Sequence, residues 1–455
     1  MRNYACAALA LSSSGGSTNA ENNIQKNAPA SAAHPCLAGE ADNSDEMIAW
    51  PITRTQTQTQ TQTQTQTQQT AFDGNSYSSS PSYICQTISS ATDECLEYLY
   101  DNLMIYDEIN VGSLGFPPDF IQEKRTNKIS NNNISHVNGD DSEENHTTTT
   151  TTTTTNTSRY LTDDDDLEYG IIGPTVKLAL QTKRYPWNKN VPKDIFMEYV
   201  LNFSNVNEAR NNWRPFITDA LKPLLEILLE DSSSSNNEGE GLLSVEDVVM
   251  TLNHYLWSAF PDTANAESPS TIVFKSLQTP LIYDPMSVLA FGYASCTGIS
   301  ILFVDALRAL GIPARIAGTP AWYGDSGQGN HSWIEVYVYD DDENCNEGKE
   351  EEEDGESSSS SLTSSCATSW RITEALPAAG FVGSLSDPCQ YWFCAKERYV
   401  VVDDEGYTDT RVYAARLEKE SGLMLQHFPM AWDVENQGVP GVEVTDYMRR
   451  MCAEC

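Results

Sequence analysis

The sequence predicts an α+β fold: a helical first half, then a helix opened by Cys296 and packed on an antiparallel sheet, with long disordered tracts interrupting both. Three observations carry that expectation. Apolar residues recur at three- and four-residue spacing in several stretches between 93 and 257 and again from 296 to 310, and they alternate with period two from 331 to 338. The stretches between are too polar to offset the entropy of ordering them.

Residues 1–80 are rich in Ser, Asn, Thr and Gln, with an unbroken Thr-Gln alternation from Thr55 to Gln68, and are expected to be a disordered low-complexity region. A helical part of the main domain is expected over 83–125, where Asp93 can cap a helix striped by Leu96, Leu99, Leu103 and Tyr106. The tract 126–166, with its threonine run Thr147 to Thr155 and its Asp163 to Asp166 run, reads as a disordered insertion. The main domain then runs over 167–450, with surface-loop insertions at 231–240 and 340–365. Without these tracts roughly 300 residues remain, ample for one well-buried domain.

Within that domain, Val176, Leu178 and Leu180 stripe a helix over Tyr169 to Gln181, and Pro192 precedes another with Ile195, Phe196, Tyr199 and Val200 on its apolar face. Ser244 and Asp247 open a third that reaches Trp257. Gly292 to Ser295 reads as a turn. From Cys296, the positions of Ile299, Leu302, Phe303, Ala306, Leu307 and Leu310 predict a buried-faced helix, which Gly311 ends and Pro313 keeps from continuing. Ala314 to Gly318 reads as a strand. After a Gly-rich loop, His331 opens a half-buried strand with Ser332, Ile334, Val336 and Val338 on one face and His331, Trp333, Glu335 and Tyr337 on the other. Trp370 to Glu374 and Arg398 to Val402 are expected as neighbouring strands.

The formal net charge of −38 lies largely in the insertions, and with no Lys/Arg stripe it argues against nucleic acid as a partner. No apolar stretch is long enough to span a bilayer, so no membrane partner is expected. Arg2 followed by Tyr4 to Leu11 gives a weak secretory signal, and sequons at Asn133, Asn145, Asn156 and Asn202 suit secretion, yet such tracts generate sequons by chance, which leaves a cytoplasmic location equally open. Eleven cysteines form no recognisable disulfide framework. Cys389, Cys394, Cys452 and Cys455 have the residue type for a four-thiolate zinc site, but their spacing and terminal position disfavour it, and no metal is expected. The aromatic run Tyr391-Trp392-Phe393 is expected as core or pocket wall.

A thiol attacks as thiolate, and the unpaired N–H groups at a helix N-terminus favour that anion at Cys296 and offer the Cys296 N–H to an oxyanion. The base must titrate near neutrality, which points to histidine. Of six histidines, His34, His136 and His146 lie in the low-complexity tracts, His254 beside the apolar stripe of its helix, and His427 in a turn before Pro429. His331 alone follows a Gly-rich loop soon after the cysteine helix. Read from residues alone, this pairing competes with Cys296 as a small core residue and His331 as a loop residue.

Ser295-Cys296-Thr297-Gly298, the run Ala306 to Arg315 and the run Gly329 to Val336 resemble the core of the transglutaminase-like superfamily, of papain-type Cys-His-acid fold. Tyr185-Pro186-Trp187, Pro192 to Leu201, Trp213-Arg214 and Phe428 to Asp433 resemble flanking elements of a microbial and protist subgroup. The resemblance implies an acidic third member on the strand after the histidine strand: Glu374 at about the expected spacing, with Asp387 and Asp403 as alternatives. It also implies a second oxyanion donor upstream of the cysteine, for which Tyr283 and Gln278 are candidates. The activity it implies is cysteine-dependent acyl transfer on amide bonds of a protein or peptide substrate through a thioester, more hydrolytic than crosslinking, with a non-catalytic protein-binding module as the alternative. No metal or organic cofactor is required, and no calcium loop is present.

Overall fold

The computed structural model describes residues 47–51, 83–134, 170–234, 243–260, 271–339, 369–401, 406–418 and 426–455. The Thr-Gln and Thr-rich repeats, the Asp163 to Asp166 run, sequons Asn145 and Asn156, Asp403 and the 340–365 insertion lie outside these residues.

The chain enters as strand β1 (Met47–Pro51), paired antiparallel with β2 (Tyr83–Thr87). β1 corrects the expectation of disorder throughout 1–80: Ile48 and Trp50 alternate into the core, and Trp50 packs edge-on against Phe196 with ring centroids 5.2 Å apart. Helix α1 (Ile88–Asp101) is capped by the Thr87 hydroxyl, and α2 (Pro118–Ile134) runs past the boundary expected at 126. Helices α3 (Ile172–Gln181), α4 (Lys193–Tyr199), α5 (Trp213–Ala220) and α6 (Lys222–Ser234) follow, the last reaching into the expected 231–240 insertion. Helix α7 (Val245–Tyr255) has the capping box that Ser244 and Asp247 predict.

Two-residue strands β3 (Val273–Phe274) and β4 (Tyr293–Ala294) pair in parallel around helix α8 (Pro285–Phe291), and β4 leads into helix α9 (Cys296–Ala309). Gly311, at φ 76°, takes the left-handed conformation that closes α9. Strands β5 (Ala314–Thr319), β6 (His331–Val338), β7 (Ser369–Thr373), β8 (Tyr413–Ala415) and β9 (Gly441–Glu443) form one antiparallel sheet in the order β7-β6-β5-β8-β9. Helix α10 (Thr445–Met451) ends the described chain apart from a final turn.

Two expectations are corrected by what surrounds the sheet. Of the strand expected over Arg398 to Val402, Val402 lies outside the described residues and the rest is not a sheet strand: a 3-10 turn covers Lys396–Arg398, and Val400 makes only an isolated bridge to Tyr407. β6 is buried on both faces rather than one. Ile334 and Val336 pack with Leu302 and Phe303 of α9, while Trp333 packs with Tyr391, Phe393 and Tyr399 and with Met448 of α10. α9 is likewise buried all round, thirteen of its fourteen residues being inaccessible. Its polar residues are partnered inside: Asp305 accepts from Asn205 at 2.9 Å, and Arg308 donates to the carbonyls of Tyr199, Ser204 and Ala314.

Cys389–Cys455 and Cys394–Cys452 are disulfides, so the four thiols weighed as a zinc set are paired with one another and tie the 389–394 segment to the end of α10. Cys85 is also disulfide-bonded, while Cys95 and Cys296 are free. Among the described residues no group of three or more His, Cys, Asp or Glu could hold a metal ion, and no helix is long and apolar enough to cross a membrane. Asn202 is buried, with its side-chain oxygen accepting from the Ser204 N–H, which removes it as a sequon open to modification in the folded chain.

Candidate active site

Cys296 is the first residue of α9. Its N-cap, Ser295, makes no side-chain cap; the Ser295 hydroxyl bonds Thr279 instead, so the first N–H groups of α9 have no side-chain acceptor. The backbone at Ile282 and Tyr283 passes so near the first turn that a Cβ on Gly298 would lie 2.9 Å from both the Ile282 carbonyl oxygen and the Tyr283 Cα. Only glycine fits there. Two hydrogen bonds set α9 against β6: Thr297 Oγ1 to Ser332 Oγ at 3.2 Å, and Ser300 Oγ donating to the Ser332 carbonyl at 3.2 Å. They add to the packing that places Cys296 opposite His331, the first residue of β6, which pairs with Thr319 of β5.

Burial alone would raise the Cys296 pKa, but the His331 imidazole, the Ser332 N–H and the Thr297 hydroxyl stabilise the thiolate and bring it below its ordinary value. Burial alone would lower that of His331. The nearby Cys296 sulfur and Glu374 carboxylate outweigh it and push the imidazole up to about 9. The pair is thereby biased toward thiolate and imidazolium.

Glu374 follows β7 directly and is buried, with Oε1 2.9 Å from His331 Nε2. This is a close charged contact rather than an aligned hydrogen bond, since the ring N–H and Glu374 Oε2 each lack a hydrogen-bond partner. Asp387 is exposed and accepts from the Cys389 N–H, away from this cluster. His254 is exposed, and His427 makes an isolated bridge to Pro440.

The two upstream oxyanion candidates differ. Tyr283 donates its hydroxyl to the Asn207 carbonyl at 3.0 Å and packs on Trp432, so its one donor is already used. Gln278 precedes Thr279, the residue that touches Ser295, and its side-chain amide makes no hydrogen bond among the described residues. It is the candidate with a donor to spare.

A small, partly enclosed cavity beside His331 is lined by Thr297, Thr319, Asn330 and Ser332 and by Phe428 to Trp432. The Phe428 to Trp432 wall was quoted from the sequence as a flanking motif but not as part of a site. Trp392 and Phe393 close the other side of the imidazole, with centroids 4.7 and 5.1 Å from it. Phe393 is core, whereas Trp392 is half exposed and braced by Arg398, which lies 4.4 Å over its ring.

A cysteine opening a helix and a histidine opening a strand of an antiparallel sheet, as arranged here, define a papain-like cysteine enzyme fold. More particularly, residues 265–346 match the family model of the transglutaminase-like superfamily, and the chain carries a domain of that superfamily. The match includes Cys296 and His331, stops short of Glu374, and spans less than half of the chain. No curated protein matches it. A solved structure of a candidate cysteine protease from Cytophaga hutchinsonii aligns at 13% identity over 53% of this chain and 67% of that one, with a TM-score of 0.19, too slight a likeness to carry any argument.

Proposed function

We propose that this protein performs cysteine-dependent acyl transfer on amide bonds of a protein or peptide substrate, and that water is the usual acceptor. The observation that supports this reading is the convergence of the Cys296 sulfur, the His331 imidazole and the Glu374 carboxylate, with a small cavity beside His331. In the proposed sequence the Cys296 thiolate attacks the amide carbon and forms the C–S bond, with the oxyanion held by the Cys296 N–H and a Gln278 side-chain N–H. The His331 imidazolium then gives its proton to the leaving amine as the C–N bond breaks. Neutral His331 next takes a proton from water, whose oxygen attacks the thioester, and the thiolate leaves as the acid is released. Cys296 keeps some exposure, which suits attack on the thioester by solvent water.

Labelling with an electrophilic thiol probe tests the reading. Cys296 is expected to react far faster than the same thiol in denatured chain, and His331→Ala to abolish the difference, a loss of about 10³-fold or more. Equal rates for native and denatured chain would instead favour a protein-binding module. With a reactive peptide in hand, ¹⁸O from labelled water should appear in the product acid, whereas capture of an added amine in its place would make the activity crosslinking.

A further inference from the structure

We infer that Asn253 is a positioning residue for the candidate acid, gripping the backbone just after Glu374, on both sides of Ala375, so that the Glu374 carboxylate stands against His331. The inference rests on the reading of Cys296, His331 and Glu374 as a triad. The sheet ladder does not reach Glu374: the last β6-β7 pair is Ile334 with Thr373. The backbone at Glu374 is held from α7 instead. Asn253, fully buried, donates Nδ2 to the Glu374 carbonyl at 3.0 Å, and its Oδ1 accepts from the Leu376 N–H at 2.9 Å. Oδ1 also accepts from Trp257 Nε1 at 3.1 Å. One acceptor and two donors around the amide settle which end is oxygen.

The chemistry of the site suits asparagine. A carboxylate there could accept from Leu376 and Trp257 but could not donate to the Glu374 carbonyl, and it would put a second negative charge beside Glu374. Seven residues upstream on α7, Glu246 accepts from the Ser384 and Ser386 hydroxyls and from the Leu385 N–H. One helix therefore holds both ends of the stretch from Glu374 to Ser386. The titratable groups facing His331 are Cys296 from α9 and Glu374 after β7. Tyr391, whose hydroxyl meets Thr373 at 3.1 Å, is the further one beside Glu374.

The test needs no substrate. Alkylation of Cys296 by iodoacetamide, followed across pH by mapping the Cys296 peptide, should rise in two steps for the native protein, the upper one marking loss of the imidazolium proton. Glu374→Gln is expected to move the upper step down by about 1–3 units. Asn253→Ala is expected to move it in the same direction, and the double variant no further than Glu374→Gln alone. Trp257→Phe, which removes one bond to the same amide but leaves both backbone bonds, should leave the step in place. If Asn253→Ala does not fold, Asn253→Leu replaces it: it is close in size, removes both backbone bonds, adds no charge, and should lower the step too. A folded Asn253 variant with the step unmoved, or a double variant shifted beyond Glu374→Gln, overturns the inference. A native protein with a single step at an ordinary thiol pKa overturns the triad reading itself, and this inference with it.

Discussion

Cys296 and His331 stand on regular structure, while Glu374 and the aromatic wall at 391–393 stand on irregular chain, and the two regions are held by different forces. On the first side, the β5-β6 ladder, the all-round burial of α9 and the close approach at Gly298 leave the thiol and the imidazole little choice of position. On the second, the ladder has ended, and distant side chains, Asn253 and Glu246 of α7, with two disulfides to the end of the chain, do the holding. Cys296 and His331 are thus fixed by the fold itself. The carboxylate beside His331 is fixed by a handful of directional bonds, each removable by one substitution.

The largest expected effect comes from removing the tuning group. Glu374→Gln should lower the rate of acyl transfer by about 10²- to 10⁴-fold while the protein stays folded. His331 is raised from 6.5 to about 9, so its protonated form is retained across neutral pH and lost as pH rises through about 9. Without the carboxylate, the alkaline limb of the pH–rate profile should therefore fall toward the unperturbed value. A loss of less than tenfold with the limb unmoved would make the irregular side mere packing.

The disulfides sharpen the same contrast at the level of stability. Cys394→Ser with Cys452→Ser opens a link nested inside Cys389–Cys455, so that it closes only a short ring of chain, and its loss lowers stability by about 2–3 kcal/mol by chain entropy. Thermal unfolding should show a clear drop in Tm. Native-state proteolysis of the variant should gain cuts in the 381–400 stretch that the native chain lacks, with the Cys296 helix protected. Cleavage beginning in α9 instead would reverse the assignment of the rigid side.

The same division explains what was legible in the sequence. Helical spacing after Cys296 and strand alternation after His331 are local signals, both within 296–338, and the structure has both elements where those signals place them. Glu374 was only one of three acidic candidates, because the 340–365 insertion separates it from β6 and no local pattern counts across such a gap. Asn253 carried no signal at all: it neighbours the Val248, Val249 and Leu252 stripe, and its partner lies 121 positions on. Arg398 to Val402 has a strand's composition, but its Arg398 lies over Trp322 and Trp392 and its chain turns back through Tyr407. The bond from the Tyr283 hydroxyl to the Asn207 carbonyl is likewise a contact across 76 positions that no local pattern announces. The cover on the second face of β6 comes from 391–399 and α10, far along the chain, so a half-buried strand was the most that alternation could predict.

The smallest expected effect lies on the regular side. Ser300→Ala removes the bond to the Ser332 carbonyl, and Thr297→Val the bond to the Ser332 hydroxyl; each should lower stability by about 1 kcal/mol. Neither bond sets the strand register or fills the core, because the β5-β6 pairing and the packing of Leu302 and Phe303 under Ile334 and Val336 do that already. Iodoacetamide labelling of Cys296 should then slow only a few-fold in either variant, with somewhat more loss in Thr297→Val because its hydroxyl also stabilises the thiolate. Labelling rates measured beside Glu374→Gln decide the matter. If Ser300→Ala proves the more damaging of the two, the position of Cys296 depends on single bonds as much as that of Glu374 does, and the contrast between the two sides of the site is gone.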